Sequence, residues 1–164
     1  MICDQDAVAI ARPSGAMAPD MFALLADASA GDIKAQREMR NAAMSVCWNP
    51  RHLAPDLELY AAMGVLLARM AAAHGDMMDV RELGDMLFCA AAIYEDRGHL
   101  PLSNQCLIEG VALYERIALT GAEDAAIAVQ RLVEGLPPEV IAAAREHNMR
   151  VADNAVPPAS IARH

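Results

Sequence analysis

The sequence predicts an all-α fold, and three observations carry that expectation. A fragment recurs along the chain: ASAGDIKAQREM from Ala28, AAHGDMMDVREL from Ala72 and ALTGAEDAAIAV from Ala118. Aligned on Gly31, Gly75 and Gly121, the copies lie 44 and then 46 residues apart. Each glycine follows an alanine three positions back (Ala28, Ala72, Ala118). Four positions on come Ala35, Asp79 and Ala125, and eight on come Met39, Leu83 and Val129. Self-similarity at this period marks stacked helix pairs, because one pair cannot bury its own apolar face. Composition agrees: the chain is 55% hydrophobic but only 4% aromatic, with eleven methionines and abundant alanine, the strongest helix former. β-branched residues never alternate with polar ones over a strand's length. The expected architecture is a right-handed α-α superhelix, a short solenoid of about three antiparallel helix pairs.

The elements follow in order. Residues 1–19 contain Pro13, Gly15 and Pro19, lack periodicity and read as a flexible arm. Asp20 is the expected N-cap of a helix to about Ser29, with Met21, Leu24, Leu25 and Ala28 on its apolar side. Gly31 ends that helix and Asp32 caps the next, which runs to about Val46. Gly75-Asp76 repeats this close-and-open unit, and Gly121 with Glu123 and Asp124 is a looser version. The segment CWNPRHLAP, residues 47–55, holds two prolines that break any helix. Helices are then expected from about Asp56 to His74, Asp79 to Arg97, Pro101 to Thr120, Glu123 to Glu134 and Glu139 to Val151. The helical repeat domain is therefore placed at 20–151, with a flexible tail at 152–164.

Net charge is −9 and the isoelectric point near 4.9. Such a surface repels phosphate backbones and anionic membranes, so no nucleic-acid partner is expected. No stretch approaches about 18 uninterrupted apolar residues, so no membrane span is expected either. The N-terminal residues lack a basic region followed by an apolar one, which argues against a secretory signal. Cys3, Cys47, Cys89 and Cys106 have no paired spacing, and three fall in apolar helical stretches. A reducing cytoplasm without disulfides is the expected compartment.

The phrases AAAHGDMMDVRELGDML and YERIALTGAEDAAIAVQRL resemble Sel-one-like repeats, the longer relatives of tetratricopeptide repeats. That family shows an alanine-rich helix end, Gly-Asp, a small residue, and Leu-Gly near the middle of the next helix. Leu83-Gly84 matches the Leu-Gly pair, and the closing run LPPEVIAAAREHNM looks like an ending common in bacterial members. The resemblance covers about Met21 to Met149. It departs at three places: Met39-Arg40 and Val129-Gln130 stand where Leu-Gly is wanted, and Asp79 where a small residue is wanted. The resemblance implies adaptor work, in which a groove holds a peptide or a partner's helix without chemistry.

The residues offer little else. No two of His52, His74, His99, His147 and His164 have the spacing that puts two ligands on one helix face, so no metal or other cofactor is expected. Cys47, followed by Trp48, Arg51 and His52, is the one candidate thiol nucleophile, with no oxyanion-hole motif beside it. Glu95-Asp96 and Glu123-Asp124 point in different directions on a helix and cannot flank one substrate. Methionines fill an alanine-rich core or, where exposed, adapt to an apolar partner. Opposite the expected core stripe of Leu83, Leu87, Ala91 and Tyr94, the candidate groove contacts are Arg37, Arg40, Arg81, Asp85, Phe88 and Gln130.

The leading expectation is a non-enzymatic scaffold or adaptor that binds another protein or a peptide in this groove. The alternative is a small acidic chaperone or holder that keeps an unfolded client's apolar segment soluble. A third reading is a small-ligand-binding protein or thiol enzyme using the Cys47–His52 loop. A truncated stack also leaves Val140 and Ile141 to serve as core or to dock a second copy in a homodimer.

Overall fold

A computed structural model describes residues 21–48 and 56–155. Seven helices run through them: α1 (Met21–Ser29), α2 (Ile33–Cys47), α3 (Leu57–Ala72), α4 (Met77–Asp96), α5 (Leu100–Leu119), α6 (Glu123–Gly135) and α7 (Pro138–Ala155). The fold is all-α. The arm at 1–19, the Asp20 cap, and Arg51 and His52 lie outside the described residues.

The recurring fragment is a recurring turn. Gly31, Gly75 and Gly121 have φ of +98°, +85° and +91°, a left-handed conformation that a Cβ would strain. Each glycine N–H donates to the carbonyl of the alanine three residues back, at 3.2 Å to Ala28, 3.0 Å to Ala72 and 3.0 Å to Ala118. The acidic residue that follows then opens the next helix. The Asp32 carboxylate accepts the Ala35 N–H at 2.9 Å, and Asp76 accepts the Met78 N–H at 2.9 Å. The Asp76 cap starts α4 at Met77, two residues before the expected Asp79. Such a cap contributes about 1 kcal/mol. In the third turn Ala122 occupies the cap position, and Asp124 instead accepts the Ala125 N–H at 2.9 Å. At the other end, α7 continues through Ala155, past the expected stop at Val151.

Each helix from α1 to α5 packs on the next, and α5 then carries both α6 and α7. The central core joins Ala61, Val65 and Ala68 of α3 to Leu83, Met86, Leu87, Ala90 and Ile93 of α4 and Leu113 of α5. Its large side chains each contribute about 1.5–3 kcal/mol on full burial. The expected stripe is buried at Leu83, Leu87 and Ala91 and half-buried at Tyr94. Ala28, Ala35 and Met39 meet Leu67 on one side of this core. On the other, Val111 and Ala112 meet Ile141 and Ala144. Val140 and Ile141 are buried within the chain itself, not presented to a second copy. The methionines divide: Met39 and Met86 are buried, whereas Met77, Met78 and Met149 are exposed. No helix among the described residues is long and apolar enough to cross a membrane.

Candidate functional site

Along the first turns of α2, α4 and α6, arginines of one helix reach carboxylates of the helix after next. Arg37 lies six residues after Gly31, and its guanidinium grips Asp79 at 2.9 Å (Nε to Oδ1) and 2.6 Å (Nη2 to Oδ2). The same Nη2 reaches Asp76 at 2.7 Å. Arg81, six residues after Gly75, pairs with Asp124 through a single nitrogen, Nη1. These pairs set the N-terminal ends of the three helices side by side, so the turns at Gly31, Gly75 and Gly121 share one edge of the molecule.

Arg40 and Asp79 go further inside. Their relative exposures are 2% and 1%. Arg40 donates to Asp79 Oδ1 at 2.9 Å and pairs with Glu82. Hydrogen bonding from Arg37, then from Arg40, holds the Asp79 carboxyl below the usual carboxylate range against the opposing effect of burial. The same bond raises the Arg37 guanidinium above its ordinary value. A buried carboxylate between two arginines is satisfied by charge-assisted, partly bidentate bonds.

Three other groove candidates, Arg81, Asp85 and Phe88, gather around Tyr114. Its hydroxyl donates to Asp85, and burial first, then that bond, pushes its pKa up to about 12. Arg81 contacts the same hydroxyl. Phe88 stands against the ring with centroids 5.7 Å apart at 47°. A Cβ on Gly84 would lie 2.7 Å from the Tyr114 ring, so glycine is what lets α5 approach α4 there. Gln130 is separate, donating to Glu134 at 3.1 Å on α6. Of the six candidates, then, Arg37 and Arg40 share Asp79, and Arg81, Asp85 and Phe88 meet at Tyr114. Arg40 is buried and faces no groove. The polar groups of these residues are engaged within the chain.

Open apolar surface lies beside them, at the end of α5. One cavity of about 410 Å³ is lined by Ala72 of α3, Met77, Val80 and Leu83 of α4, and Leu113, Arg116, Ile117 and Thr120 of α5. A second, of about 400 Å³, is lined by Glu115, Ala118 and Leu119 of α5, Val129 of α6, and Arg145 and Asn148 of α7. Both volumes lie within the range of about 300–1,000 Å³ that holds small ligands or side-chain anchors. The last turns of α5 form a wall of each, and Leu119 is 86% exposed. Sequence reasoning missed Met77, Arg116 and Leu119 as a group. Met77 and Leu119 share one local signal, an apolar residue at a helix end outside the core stripe.

The thiols of Cys47 and Cys89, both free, are hydrogen-bonded to each other, and Trp48 is 62% exposed. His99 precedes α5 with Nε2 3.4 Å from Glu58. Among the described residues no three His, Cys, Asp or Glu side chains converge as a metal cage. No family model matches the sequence, and neither a curated protein nor a solved structure matches it.

Proposed function

We propose that this chain is a non-enzymatic interaction scaffold of the Sel-one-like kind, its helix pairs continuing as a right-handed superhelix. It takes apolar anchors from a basic amphipathic helix of a partner protein. The docking edge is the one formed by the glycine turns rather than the wired face of α2 and α4. The observation that carries this reading is the pair of apolar cavities flanking the end of α5, with Leu119 and Met77 exposed at them. Flexible thioethers adapt to irregular partners, which suits Met77 and its neighbour Met78. The net charge of −9 steers a cationic helix towards the protein and disfavours an anionic one. The ion pairs at Asp79 hold the ends of α2 and α4 in place before binding, so little ordering is left for the encounter.

The test is affinity capture from source lysate with wild type, Met77→Glu/Leu119→Glu and Arg81→Glu, followed by titration calorimetry with the captured segment. The reading expects a helical partner segment retained by wild type and Arg81→Glu but lost by the double variant. Its Kd should weaken by roughly 30-fold, the loss of about 2 kcal/mol for a buried anchor. Equal retention by the double variant would sink this edge as the site. Recovery of extended, unfolded clients alone would favour the holder instead.

A further inference from the structure

Cys47, the last residue of α2, and Cys89, in the second half of α4, come from distant parts of the chain, yet their thiols share a hydrogen bond. α2 and α4 touch directly, and both cysteines, like Cys106 of α5, pack half-buried against the same core cluster. The side chain of Trp48, whose backbone caps α2, adds a second bond to the Cys89 sulfur and is itself exposed. We propose that Cys47 and Cys89 form a redox site in which hydrogen peroxide, or another peroxide, converts the two thiols to a disulfide linking α2 to α4.

The chemistry follows from the asymmetry of the pair. Bonds from Cys47 and Trp48 lower the Cys89 thiol from its ordinary value, whereas Cys47 is raised by the same pairing and by burial. Trp48 lies against the sulfur of Cys89 and supports a negative charge there, so Cys89 takes the thiolate role and Cys47 that of the resolving thiol. The Cys89 sulfur attacks a peroxide oxygen, so an S–O bond forms and the O–O bond breaks. The hydroxide that leaves takes the proton lost by Cys89 and becomes water. Cys47 sulfur then attacks the resulting sulfenic acid; the S–S bond forms, the S–O bond breaks, and hydroxide leaves with the Cys47 proton as a second water. Two electrons pass from the sulfurs to the peroxide, and two waters result. Cys106, which burial raises and which contacts neither thiol in a bond of this kind, serves as the internal control.

The experiment treats the full chain with one equivalent of hydrogen peroxide, quenches it by alkylation and maps disulfide-linked peptides by mass spectrometry. Wild type and Cys106→Ser should both give a single linked species joining Cys47 to Cys89, reversed by dithiothreitol. Cys89→Ser should give none, while keeping the helical circular dichroism of wild type. The oxidised chain should melt at a higher temperature than the reduced chain, because the link restricts the unfolded state. The emission of Trp48, the sole tryptophan, should change with oxidation and return on reduction. A link through Cys3 or Cys106 would overturn the proposal, and so would oxidation of Cys89 to sulfinic acid without a link.

Discussion

Where α2 meets α4, Arg40 and Asp79 pair out of water, with Arg37, Asp76 and Glu82 on the more exposed rim; where α4 meets α6, the pair of Arg81 and Asp124 is exposed on both sides. The two junctions use equivalent positions of the recurring fragment. Four residues after the glycine, Ala35, Asp79 and Ala125 are all buried. Nine residues after it stand Arg40, which faces α4, and Gly84, which faces α5. Arg40 fills its space with a guanidinium that needs a buried anion, and Asp79 supplies it. Gly84 leaves its space to the Tyr114 ring. The two departures of the first junction from the small-residue pattern, Arg40 and Asp79, thus compensate each other. An equivalent backbone position tolerates either a small residue under an aromatic ring or a charge under its counter-charge, provided the facing helix changes with it.

The sharpest break in that comparison is Asp79→Ala, which leaves Arg40 buried with Glu82 as its counter-charge and the neutral Asn41 side chain as a further acceptor. We expect a loss of about 3 kcal/mol, at the lower end for removing one partner of a buried pair. Chemical denaturation measures it. Adding Arg40→Leu should restore more than half of the loss, since the apolar pair no longer strands a charge. The acid limb of stability carries a second readout. The Asp79 carboxyl is held below its ordinary value near about 3.9, so its contribution is whole above that pH and falls away as pH drops through the depressed value. Melts from pH 6 down to about 2 should be flatter for Asp79→Ala than for wild type. Parallel acid limbs would deny Asp79 this role.

Next in size is Gly84→Ala. Its Cβ would press on the Tyr114 ring, which Asp85 and Phe88 hold in place, for a cost of about 1–3 kcal/mol offset by about 1 kcal/mol of helix propensity. Gly64→Ala makes the matched control. There the new Cβ meets the thioether end of Met86, which turns aside more readily than a ring, and the net change should stay within about 1 kcal/mol of zero. Equal costs at the two glycines would show that ring anchoring does not matter. The smallest effect belongs to Arg81→Gln. Its pair with Asp124 is exposed and screened by salt, so the melting temperature should stay at that of wild type, with or without 0.5 M sodium chloride as a roughly saturating screen. A large drop would make the second junction as charge-dependent as the first.

Much of this was legible along the chain. Gly31, Gly75, Gly98 and Gly121 end helices because the left-handed turn needs glycine whatever surrounds it. Leu83, Leu87 and Ala91 share a face because they are a helical turn apart. The candidate site was less legible. Arg37, Arg40, Arg81, Asp85 and Phe88 stood out as side chains off the core stripe, yet their partners are carboxylates and an aromatic ring on other helices. Periodicity says which residues share a face; it does not say which face of another helix comes opposite.

The sequence by itself determined the all-α class, the turn positions and the helix faces, because these depend on backbone sterics and on contacts within a few residues. Only the tertiary structure decided that Arg40 is buried on Asp79, that Cys47 lies against Cys89 and that the end of α5 borders two apolar cavities. Those outcomes depend on the rotation and height at which separate helices pack. Small shifts there exchange one neighbour for another without altering any local signal.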